Sequence, residues 1–228
     1  MDPSKRAPAP PAAGDTMPHD VASRSVSADA LRMLKYEIER EVALGLSGDH
    51  EIVGGSVDWV LMDFDEDDVA LNWHGERIFR AAIAEHARQQ ATWPATTDCH
   101  RLDAAFAELE AAGILCRQDF TLEDEHGHEV LQAEIDDEEK SGVRVRGFDY
   151  FSIQAGDEVL AGGKLRLRFG VGEGSAEEAE DIGLEVATAL HRHGLKVIWD
   201  GKAETPILVD MVWRKHRAGG SLSGADKG

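Results

Sequence analysis

The stretch from Gly162 to Asp200 limits the possible folds more than any other, because alternating and helical periods follow one another in it with clear punctuation. Lys164-Leu-Arg-Leu-Arg-Phe169 alternates polar and apolar side chains, as a strand with one buried face does. Ser175 then stands at a helix cap, with Glu178 three residues on to complete a capping box. Ile182, Val186 and Leu190 recur at helical spacing and Gly194 closes the helix. Leu195, Val197 and Trp199 then begin another strand. No nucleophile and no phosphate-binding loop accompanies this strand–helix–strand unit. It reads as scaffold in an acidic α+β domain.

At 228 residues the chain is long enough for one large domain or two small ones, and a hydrophobic content of 42% suits a folded core. The formal net charge of −20 sets up a field that repels nucleic-acid backbones and anionic lipid. A basic protein is the partner such a field suits; nucleic acid and membrane are not expected. No run approaches the length of apolar sequence that a membrane span needs. Residues 1–20 carry Lys5 and Arg6 but no apolar core of a secretory signal. Cys99 and Cys116 are the only cysteines, one in an expected first helical turn and one in an expected strand. They read as reduced thiols of a cytoplasmic protein.

Composition divides the chain into four parts. Residues 1–26, rich in Pro, Ala and Ser, have little to bury and are expected to form a disordered arm. Residues 27–112 form a helical region. Leu31, Leu34, Ile38 and Val42 make one apolar stripe, with Gly45 as its stop. Ile52-Val53 and Val57–Met62 fit a helix or a strand, and the acidic run Asp63–Asp68 breaks either. Ile78, Phe79, Ala82 and Ile83 line another helix, which ends before Pro94. Thr97 or Asp98 caps a further one, carrying Leu102, Ala105, Phe106 and Leu109, with Gly113 as its stop. Residues 113–214 then read as strand (114–121), helix (128–140), strand (146–153), strand (from 164), helix (from 175), strand (from 195) and an appended strand (207–213). That order predicts a ferredoxin-like antiparallel sheet with an extra strand, packed with the helical N-terminal region. Residues 215–228 are expected to be a flexible tail.

Asp63, Asp65 and Asp67 have the opening spacing of a calcium loop, but Asp68 stands where glycine is needed and His74 where the bidentate glutamate belongs. A solvated acidic turn is the simpler reading. His126 and His128 flank Gly127 beside carboxylates and could supply zinc ligands together with Cys116. Without closely spaced thiolates, they read more simply as an exposed turn. His191 and His193 suit the negative end of the helix that Ser175 starts. Gly170, Gly172 and Gly174 could hold an anion, yet Glu173, Glu177 and Glu178 crowd the same place. Trp199 and Trp213 fall within strand patterns, and Trp93 is placed to lock the helical half onto the sheet. No catalytic residue and no cofactor site is assigned.

The run from Trp93-Pro94 through Thr97-Asp98 to Arg101-Leu-Asp-Ala-Ala-Phe-Ala-Glu-Leu-Glu-Ala-Ala-Gly-Ile114 resembles an uncharacterised actinobacterial family with no assigned function. Phe120-Thr121, Gly127-His128, Arg146-Gly147-Phe148, Gly194-Leu195 and Trp199-Asp200-Gly201 continue the likeness, which spans roughly residues 76–213. The family usually follows Phe-Thr with adjacent cysteines and sets another before the glycine. Leu122, Glu123 and His126 occupy those positions here, so the resemblance implies a fold but no thiolate chemistry, and leaves only His126 as a ligand. The expectation is therefore a non-enzymatic acidic interaction or regulatory domain. The alternative is a metal-dependent or small-ligand-binding enzyme using the His126/His128 region.

Overall fold

A computed structural model describes residues 25–121, 124–142, 144–172 and 174–217. Three helices open it: α1 (Ala28–Leu44), α2 (Asp49–Asp63) and α3 (Asp68–Gln90). The Ser27 hydroxyl accepts the Ala30 N–H at 3.2 Å to start α1. Gly45, at φ 68°, ends α1 in the left-handed region that glycine enters without strain. Leu34, Ile38 and Val42 of the apolar stripe share a core with Ile52, Val53, Val57 and Val60. The ambiguous stretch after Ser47 is thus helical, its buried positions recurring at three and four residues rather than at two. The acidic run is a junction: Asp67 accepts the Ala70 N–H at 2.9 Å and caps α3. Each fully buried Leu or Ile of such a core contributes about 1.5–3 kcal/mol.

The second half alternates helices and strands: α4 (Asp98–Ala111), β1 (Ile114–Arg117), α5 (Asp124–Lys140), β2 (Gly147–Tyr150), α6 (Ile153–Leu160), β3 (Leu165–Gly170), α7 (Ala176–Arg192), β4 (Lys196–Ile198) and β5 (Ile207–Asp210). The strands form one mixed sheet in the order β1-β2-β3-β5-β4. Its β1–β2 pair is parallel, with Ile114 opposite Gly147 and Cys116 opposite Asp149; the other pairs are antiparallel. The α+β class and the helical N-terminal region are as expected. The strand order is not that of a ferredoxin-like antiparallel sheet, in which sequence-adjacent strands do not line up as β1, β2 and β3 do here. Side-chain periodicity signals that a strand exists, but not which edge it pairs with. The pattern also gave no sign of α6, because Gly156-Asp157 reads as a turn.

The best-signalled segment forms as its pattern requires. Ser175 Oγ accepts the Glu178 N–H at 3.2 Å while the Glu178 carboxylate accepts the Ser175 N–H at 2.8 Å. Ile182, Val186 and Leu190 of α7 join Leu165, Leu167, Ile207 and Val209 of the sheet in the largest core, which α4 also enters. Across the sheet, Leu131 and Ile135 of α5 pack on Phe148 and Tyr150. Residues 211–217 return to the helical region as a strap. Trp213 Nε1 donates to the Leu44 carbonyl at 3.2 Å, and Lys215 Nζ meets both oxygens of Asp103 at 2.6 and 2.7 Å. The Arg217 N–H donates to Gln90 at 2.9 Å. Lys215 to Arg217, within the expected tail, are therefore packed.

Candidate functional site

The residues that the sequence offered for metal chemistry lie on different elements. His126 and His128 stand at the start of α5 rather than in an exposed turn, and their side chains lie outside the described residues. Gly127 passes close against the sheet, where a Cβ would fall 2.3 Å from the Tyr150 ring. Among the described residues no group of three or more His, Cys, Asp or Glu could hold a metal ion. Asp67 is taken up by its cap, and His74 packs edge-on to Trp73 at 4.9 Å. His193 pairs with Glu108 of α4 at 2.9 Å, and Asp200 accepts the Lys202 N–H at 3.2 Å. Trp93 lies between the rings of His86 and His216, at 5.1 and 5.6 Å.

Both cysteines are free and buried, Cys99 in the first turn of α4 and Cys116 in β1. Burial pushes the Cys99 thiol up to about 11 and raises Cys116 further. Neither is a thiolate at neutral pH, so neither is poised as a nucleophile. Asp149 is fully buried in β2, and neither of its oxygens has a hydrogen-bond partner among the described residues. Burial raises its pKa well above the carboxylate range; the nearby Tyr150 amide offsets part of that shift without completing a hydrogen bond.

Two clefts remain. The larger, of about 850 Å³, runs between α5 and α7. Ile135 and Ile182 lie in its wall, Leu184 is 60% exposed on the rim, and Asp136, Glu178, Asp181 and Glu185 border it. Arg144 and Arg146 also line it, with Arg146 paired to Glu185.

The second cleft, of about 490 Å³, lies where α1 and α2 meet α6. At its base the buried Arg40 guanidinium donates to Asp119 at 2.6 and 3.0 Å, to Asp157 at 2.5 Å, to Glu41 at 2.8 Å and to the Ile153 carbonyl at 3.2 Å. These bonds to the charged form outweigh desolvation and raise its pKa. Asp119 supports the pair from φ 53°, a left-handed backbone that few non-glycine residues adopt. Arg40, Asp119 and Asp157 lie 79 and 117 residues apart, so no local motif announces the cluster. Arg40 also stands off the α1 stripe, and only α6 explains its burial.

Among the described residues no helix is long and apolar enough to cross a membrane. No curated protein and no solved structure matches the chain. A family defined as a domain of unknown function, DUF6891, matches residues 27–217, from the cap of α1 to the end of the strap, and to that family the chain belongs.

Proposed function

We propose that this domain is a non-catalytic module that binds a basic protein partner through the groove between α5 and α7. The observation that carries the reading is the lining of that groove. Leu184 gives an exposed apolar anchor above the buried Ile135 and Ile182, and four carboxylates stand against two guanidiniums, one of them already paired. A basic amphipathic helix presents the complementary surface, with apolar anchors on one face and ammonium groups beside them. The net charge of −20 adds long-range attraction, and the raised thiol pKa values favour recognition over covalent chemistry.

The test is fluorescence anisotropy with a labelled amphipathic helix of lysine and leucine. Its affinity is expected to fall about tenfold as ionic strength rises from about 50 to 300 mM, because screening shortens the reach of the field. Asp181→Lys and Leu184→Ser should each weaken binding further while leaving the fold intact, since both side chains are exposed. Affinity indifferent to salt and to both substitutions would remove the proposal.

A further inference from the structure

We propose that the cleft between α1, α2 and α6 is a binding site for a small organic cation, an aliphatic ammonium held between carboxylates and aromatic rings. It is separate from the α5–α7 groove and does not rest on the protein-binding reading. Its volume of about 490 Å³ falls in the range of small-ligand sites.

Its charge selects the ligand class. Glu37, Glu41, Glu51 and Asp157 line the cleft with Arg40 as the one cation. Arg40 is enclosed by Asp119, Asp157 and Glu41, so no guanidinium is left to receive an anion. Glu41 is further engaged by Ser47 at 2.6 Å and Glu51 by the Gly48 N–H at 3.1 Å. Glu37 differs: it is half-buried and accepts no hydrogen bond from the described residues. A carboxylate in that position gains most from an incoming ammonium. Tyr36 and Trp59 stand on the same walls, and the faces of such rings attract cations.

Two features independent of the acids point the same way. Ser56 also lines the cleft; it is 4% exposed, and its buried hydroxyl has no hydrogen-bond partner among the described residues. Buried hydroxyls are rarely left unpaired, and an ammonium N–H would satisfy this one. Gly54 and Gly55 sit together inside α2, where each costs about 1 kcal/mol relative to alanine. A Cβ at either would meet nothing within 4 Å, so packing does not require glycine. Gly55 lines the cleft, and its missing side chain leaves the opening wide.

The experiment titrates 1,4-diaminobutane into the full chain at low salt, followed by amide chemical shifts, with 1,4-butanediol as the neutral control. Saturable shifts centred on Tyr36, Gly55 and Ile153, absent with the diol, are expected. Glu37→Gln should weaken binding at least tenfold. Gly55→Leu should abolish it while leaving the melting temperature equal or higher, because a good helix former replaces glycine where space is open. Shifts spread over the acidic surface, equal response to the diol, or unchanged affinity in both variants would overturn the proposal.

Discussion

Asp149 sets a fully buried carboxyl in the sheet, where desolvation, offset only in part by the Tyr150 amide, favours the neutral acid. Folding therefore keeps a proton that the unfolded chain releases near the ordinary aspartate pKa. Stability is fully present below that unfolded value and declines as pH rises toward the raised folded value. Asp149→Asn removes the ionisation at nearly constant shape. The variant should match the parent at pH about 4, exceed its melting temperature at pH about 8, and show a flatter stability profile between. Equal pH dependence in the two proteins, read by thermal unfolding, would show that Asp149 ionises without penalty. Nothing in the sequence marks this residue, because Phe148, Tyr150 and Phe151 around it made the strand look like ordinary core.

Among the elements, α7 was legible because cap, period and stop agree: Ser175 with Glu178, then Ile182, Val186 and Leu190, then Gly194. Its cap is a measurable part of its stability. Ser175→Ala removes the acceptor of the Glu178 N–H and should cost about 1 kcal/mol in urea unfolding, with an unchanged denaturant slope. The opposite case is α6. Gly156 looks like a turn in sequence, yet it lies within a helix, and a Cβ there would fall within 2.9 Å of Asp119 and 3.3 Å of Arg40. Glycine here serves close approach rather than flexibility. The parallel β1–β2 pair was equally hidden, since a four-residue strand carries no record of its neighbour's direction.

At the scale of the molecule, polar ties join the helical region to the sheet, and Arg40 carries several of them. It reaches from α1 to α6 and to Asp119 beyond β1. Arg40→Met would leave Asp119 and Asp157 facing each other without their common cation. Global stability should fall by about 3–5 kcal/mol, read as a lower urea midpoint. Asp119→Asn introduced into Arg40→Met should recover part of the loss, because the stranded charge is then gone. A loss under 1 kcal/mol would mean that water reaches the cluster freely. Charge, helix content and the two thiols were readable from the sequence. The clefts were not, because each is assembled from residues distant in the chain.

The strap 211–217 has a consequence for how the chain matures. Every group it grips, from Leu44 and Asp49 to Cys99 and Asp103, is synthesised before it. During synthesis the contacts of Arg40 with Asp119 and Asp157 are therefore available to join the bundle to the sheet before the strap adds its own.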